Sequence, residues 1–191
     1  MSGLAERVKA AFPNLVTEAL VLSGSETVIA RSEAIKSLAQ ALKTGADFQF
    51  DILMDLFAVD YLHWEEKEKR FEVVYNLFSL AKNHRLFVKV PLPETRPEID
   101  SVISVWAGAD WFEREAYDMF GILFKGHPNL KRILMYESFK GHPLRKDYRY
   151  NLRQPIIPPL VSPHVVGPST AGGPIAMQSA ETSGGIIGPL N

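Results

Sequence analysis

Two Gly-His-Pro triplets, Gly126-His127-Pro128 and Gly141-His142-Pro143, and the charged residues around them are where this sequence could do chemistry. A histidine between glycine and proline is held on a rigid turn rather than on a helix face. As zinc ligands the two imidazoles lack thiol partners and a helical His-Glu pattern. As a general base, either would need a nucleophile and an orienting group. Ser138 and Asp147 are near enough to be cast in those parts, yet no nucleophile elbow surrounds Ser138. The role that remains is structural: an imidazole that hydrogen-bonds loop backbone while proline fixes its direction.

The carboxylates upstream point the same way. Glu113 and Glu115, two apart on a helix, face different sides, which is poor geometry for a paired acid and base. Glu113, Arg114, Glu115 and Asp118 read instead as ion-pair partners for the basic loop or for a neighbouring subunit, with Arg114 and Asp118 as an i, i+4 pair. There is no Gly-x-Gly-x-x-Gly or Walker-type phosphate loop. Cysteine is absent, which removes disulfides, thiolate-bound zinc, iron–sulfur ligation and a thiol nucleophile together and fits a reducing compartment. Basic residues interleaved with Phe124, Tyr136, Phe139, Tyr148 and Tyr150 could serve an RNA-binding module, but the acidic overall charge and missing consensus argue for no nucleic acid.

Charge is unevenly placed. Between Gly121 and Arg153 eight basic residues face two acids, so +6 lies there and −7 on the rest of a chain whose net charge is −1. Such a split indicates a directed face with an acidic counterpart.

The elements that must position these residues follow from periodicity. Leu4, Val8, Ala11 and Phe12 predict a helix over Gly3–Phe12, ended by Pro13. Leu15–Leu22 and Val28–Ala30 read as strands about a Ser23-Gly24-Ser25 turn. Ser32 is placed to cap a second helix carrying Ile35, Leu38, Ala39 and Leu42 and closed by Gly45. Phe50–Tyr61, Arg70–Leu80 and Arg85–Val90 predict consecutive strands, released from the sheet by Pro91, Pro93 and Pro97. A short helix is expected over Ile99–Trp106. A second, over Trp111–Phe120, has Asp110 and Glu113 as a capping box and Gly121 as its C-terminal stop. The class is α+β: an antiparallel or mixed sheet with helices packed on it. The N-terminus lacks a secretory pattern, and the most apolar stretch, Phe50–Leu62, is interrupted by Asp51, Asp55 and Asp60, which excludes a membrane span.

From Gln154 the composition changes. The last 38 residues hold seven of thirteen prolines and six of thirteen glycines, with no Lys or Arg, yet keep many Ile, Val and Leu. The chain is therefore divided into a domain over 1–153 and an extended Pro/Gly-rich arm over 154–191, lying in grooves of a partner.

With these residues assembled, the chain resembles the family of the C subunit of NADH-quinone oxidoreductase, respiratory complex I. The resemblance is carried by Glu113-Arg114-Glu115, Tyr117-Asp118-Met119-Phe120-Gly121-Ile122, Gly126-His127-Pro128-Asn129-Leu130, Arg132-Ile133-Leu134 and Gly141-His142-Pro143-Leu144-Arg145-Lys146-Asp147-Tyr148. It extends loosely over the sheet region, including Val59-Asp60-Tyr61. Arg149 departs from it, standing where the family places a proline, and the tail lies outside it. The resemblance implies a member of the hydrophilic arm that holds no cofactor, with FMN and iron–sulfur clusters in partner subunits and NADH and quinone as substrates of the whole complex. It implies docking chiefly against the large D subunit at the quinone site. It also implies attachment to the membrane only through the complex, on the cytoplasmic face of the inner membrane or the matrix side. Equivalent subunits of plastoquinone-reducing complexes and membrane-bound hydrogenases share the resemblance. Partner contact is expected from Glu113, Arg114, Glu115, Asp118, His127, Pro128, Arg132, His142, Pro143, Arg145, Lys146 and Asp147.

Overall fold

The computed structural model describes residues 3–152 and Gln154; the arm expected over 154–191 lies, but for Gln154, outside them. Helix α1 (Leu4–Ala11) leads into strands β1 (Val16–Leu22) and β2 (Ser25–Ala30). Ser23 and Gly24 both take positive φ, as a two-residue hairpin that follows the strand twist requires. Helix α2 (Ile35–Thr44) then crosses to a meander of β3 (Ile52–Asp60), β4 (Phe71–Ser79) and β5 (His84–Leu92). The strand order is β1-β2-β5-β4-β3, and β2 pairs with β5 in parallel, so the sheet is mixed. The α+β expectation holds. Among the described residues no helix is long and apolar enough to cross a membrane.

The core lies on one face of this sheet. Alternation along β3, β4 and β5 turns Leu56, Ala58, Val73, Tyr75, Leu77, Leu86, Val88 and Val90 inward, where they join Ile35, Leu38 and Leu42 of α2. Each fully buried Leu or Val contributes about 1.5–3 kcal/mol.

Several local expectations need correction. The chain after Asp100 is not a helix from Ile99. Glu98–Asp100 forms β6, paired in parallel with β7 (Leu123–Lys125), and tight turns follow from Val102 to Ala107. Ile99 and Val102 are apolar because both are core residues, not because they share a helical face. β5 runs through Pro91 to Leu92, since its overlap with β2 ends at Lys89 and the missing N–H of Pro91 breaks no bond to β2. Ser32 opens a single 3-10 turn and its hydroxyl contacts Glu33 rather than capping α2.

Candidate docking site

Helix α3 (Ala109–Phe120) is the element around which the charged motif is built. It starts at Gly108, and no side chain caps it. The capping-box reading of Asp110 and Glu113 fails because Glu113 is turned inward. Its Oε1 accepts the Val102 N–H at 2.7 Å, and the side chain is fully enclosed. Spacing explains this: Ala109, Glu113 and Ala116 share the buried stripe.

The C-terminal end of α3 shows what the second Gly-His-Pro motif does. The last four carbonyls of any helix lack an intrahelical partner. Here each finds one. Tyr117 O accepts from the Gly121 N–H at 2.8 Å, and Asp118 O from His142 Nδ1 at 3.0 Å. Met119 O accepts from the Leu144 N–H at 3.2 Å, and Phe120 O from Arg145 Nε. The Arg145 guanidinium there also answers the negative end of the helix dipole. Burial lowers the His142 pKa, and the nearby Arg145 and Arg132 lower it further.

The first motif holds the other end. His127 Nδ1 accepts the Asn129 N–H at 3.0 Å, which leaves Nε2 as the donor. That nitrogen lies 3.1 Å from Asp110 Oδ1 and 3.4 Å from the Asp110 carbonyl, in the first turn of α3. The two histidine turns therefore grip α3 at opposite ends, and both imidazoles hydrogen-bond backbone.

Asp118 is the second anchor. Its Oδ2 accepts N–H groups of Ile133, Leu134 and Met135 at 3.1, 2.8 and 2.9 Å, and its Oδ1 meets Arg132 Nη1 at 2.9 Å. Burial raises its pKa, but the three N–H donors and Arg132 outweigh that and hold it below the ordinary value. Arg132 also donates to Gly141 O at 3.0 Å, joining the two loops. The expected Arg114–Asp118 pair does not form. Asp118 is wholly enclosed, while Arg114 stacks over Trp111 at 4.9 Å and donates to Lys131 O.

A third anchor was not legible in the sequence. Arg70, at the start of β4, forms a bidentate pair with Asp60 at the end of β3, both bonds at 3.0 Å. It also reaches Glu94, and Asp147 at 2.9 Å. Asp60 Oδ2 accepts the Lys146 N–H at 2.9 Å, so the second motif is tied to the sheet as well as to α3. Burial raises the Asp60 pKa, yet Arg70, Lys146 and Leu62 bring it below the usual carboxylate value. An acid closing one strand and an arginine opening the next was the available signal.

The expected contact residues thus fall into three groups. Glu113 and Asp118 are buried within the chain, so neither can touch a partner directly; both position α3 and its loop. The His127 side chain is enclosed as well, Arg132, His142, Pro143 and Arg145 are partly covered, and the four charged or imidazole side chains are engaged internally. Glu115, Pro128, Lys146 and Asp147 are exposed, with Arg114 half-exposed. The Ser138–His–Asp147 set is not assembled, because Asp147 is turned to Arg70 and both nitrogens of His127 are occupied.

Gly121 is where the motif tolerates least. Its φ is +73°, and an added Cβ would lie 2.5 Å from His142 Nε2 and 2.7 Å from Arg145 Nη2. Gly121→Ala is expected to lower stability by about 1–2 kcal/mol from the backbone alone, with further loss from the displaced His142 and Arg145. Gly108→Ala, where a Cβ meets open space, shifts the urea midpoint far less.

Fold and site together define an α+β domain whose charged motif is devoted to bracing one helix and its following loop. The chain belongs to the family described as respiratory-chain NADH dehydrogenase, 30 Kd subunit, which matches residues 28–154. It is similar to the NADH-quinone oxidoreductase C subunit of Geotalea uraniireducens, at 44% identity over 142 residues, 74% of this chain and 84% of that protein. The C subunit of Citrifermentans bemidjiense is 46% identical over 142 residues, 74% of this chain and 85% of that one. The NADH-quinone oxidoreductase C/D subunit of Bdellovibrio bacteriovorus is 56% identical over 106 residues, covering 56% of this chain but 18% of that protein. A trypsin-resistant fragment of Nqo5 matches with a TM-score of 0.58 and 33% identity, over 65% of this chain and 95% of the fragment. A chain of an archaeal membrane-bound sulfane sulfur reductase shares the fold, with a TM-score of 0.63 at 20% identity over 76% of this chain and 84% of that one.

Proposed function

We propose that this chain is a non-catalytic structural member of the hydrophilic arm of a proton-translocating NADH-quinone oxidoreductase, docked beside the D subunit. In that role it supports the quinone-site geometry, while flavin and iron–sulfur clusters reside in neighbouring subunits and the complex alone ties it to the membrane. The observation that carries this reading is the surface left over once the motif is braced. Trp111 is 61% exposed and carries Arg114 on its ring, and Leu134 and Leu144 are also more than half exposed. Lys131, Lys140 and Arg149 are exposed on the same loop. Exposed Trp and Arg beside aliphatic and cationic groups are the composition of an interface centre, and they suit a partner that is apolar and acidic. The Bdellovibrio relative, whose name joins C with D, supports the D subunit as the neighbour.

The test uses exposed positions, because Arg145 is bound internally and its loss would disturb the fold itself. Trp111→Ala and Glu115→Ala are expected to leave the isolated chain within about 0.5 kcal/mol of wild-type stability. Trp111→Ala, as an interface anchor, is expected to weaken docking by about 2 kcal/mol or more. Native gels of membranes should then show depleted complex. Complex at normal levels in both variants overturns the reading.

A further inference from the structure

We propose that Glu113 is a buried proton-binding site, carried neutral in the folded chain, and that its ionisation weakens the fold. This concerns the fold itself and stands whether or not the docking reading holds.

Glu113 is fully enclosed, and its Oε2 has no hydrogen-bond partner. Each element packed around it contributes a facing group. Tyr75 comes from β4, fully buried, with its hydroxyl likewise unpartnered. The Ser101 hydroxyl and Val102 N–H come from the turn, His127 from the loop after β7, and Asp110 from α3 itself. Asp100 of β6 acts on Tyr75. Among the described residues no lysine or arginine pairs with Glu113. His127, the one imidazole there, spends Nδ1 on the Asn129 N–H and directs Nε2 to the Asp110 carbonyl, not to Glu113. An anion at Glu113 would therefore face Asp110, a phenol and two hydrogen-bond donors, with no lysine or arginine to pair with it. A neutral acid leaves only an unpaired polar atom, the smaller cost. Burial raises the Glu113 pKa, with Asp110 adding to it, against the opposing pull of Ser101, Val102 and His127.

The sign follows. The unfolded value is 4.5, and the folded value is higher. Below the unfolded value both states hold the proton. As pH rises past it, the unfolded chain gives up its proton first, so stability falls until the folded value is passed.

The experiment compares the full-length chain with Glu113→Gln, which mimics the neutral acid. The Tm of Glu113→Gln relative to wild type should rise as pH is raised above the unfolded value and level off once the folded value is passed. Infrared spectra of wild type at a pH above the unfolded value should show a protonated carboxyl band that shifts on isotope labelling of glutamate and vanishes on unfolding. A pH-independent Tm difference, or no such band, overturns the proposal. Should Glu113→Gln fail to fold, the wild-type band alone decides.

Discussion

Asp118→Ala should lower the stability of the domain by about 3–5 kcal/mol, the range for removing one partner of a buried charged pair. The side chain is fully enclosed and accepts four hydrogen bonds. Its removal strands the N–H groups of residues 133–135, leaves Arg132 facing the α3 terminus without its acid, and frees the junction to Gly141. Asp118→Asn keeps the shape but loses the charge-assisted bonds, and should cost about 1.5–3 kcal/mol. Urea unfolding checks both. The pH profile supplies an independent readout. The Asp118 pKa is lowered from 3.8, so its contribution is complete above that value and is lost as pH falls through the folded-state value. Asp118→Ala should flatten this acid limb. A variant as stable as wild type at neutral pH, or with the same acid limb, shows that Asp118 does not anchor the loop. Since Asp118 touches no surface, the variant should reduce assembly through disorder of the 132–145 loop, not through a lost partner contact.

The sheet was largely legible in the sequence because its signals are local. Ser23-Gly24 needs no tertiary context to specify a hairpin, and the alternation in Arg85–Val90 marks the inward face by itself. Gly121 likewise announced the end of α3, and its φ of +73° is the reason. The site was legible in outline and misread in direction. Glu113 and Asp118 look like surface charge because carboxylates are rarely buried. Glu113, however, sits at the i+4 position from Ala109 and three before Ala116, on the apolar stripe. Asp118 stands in the last turn, where a bare negative charge opposes the dipole and needs dedicated donors. The donors come from residues 132–135, and no periodicity reports a contact made across a loop. The same holds for Asp147, whose partner Arg70 is far away in the chain. The parallel pairing of β2 with β5 was hidden for a related reason: it depends on how α2 returns the chain to the sheet.

Asp60→Ala is the second large effect, and a double substitution separates its causes. Asp60 and Arg70 are both nearly inaccessible, and Arg70 remains charged whatever its surroundings. Removing the acid alone leaves a buried guanidinium with only the exposed Glu94 and Asp147 as partners, and takes the acceptor from the N–H groups of Leu62 and Lys146. The expected loss is about 3–5 kcal/mol. Arg70→Lys should cost nearly as much, because an ammonium on a flexible stem cannot serve Asp60 bidentately while reaching Glu94 and Asp147. Replacing both, as Asp60→Leu with Arg70→Met, removes the uncompensated charge together with its partner. That variant should recover much of the loss, as buried pairs exchanged for apolar side chains often do. It should not recover all of it, since the Lys146 N–H still lacks its acceptor and the motif is then held only through α3. Hydrogen exchange at Lys146 distinguishes the two contributions: protection there should stay low in the double variant even as global stability returns. Full protection at Lys146 without Asp60 would mean that the loop is fixed by α3 alone, and that the sheet has no part in presenting the docking face.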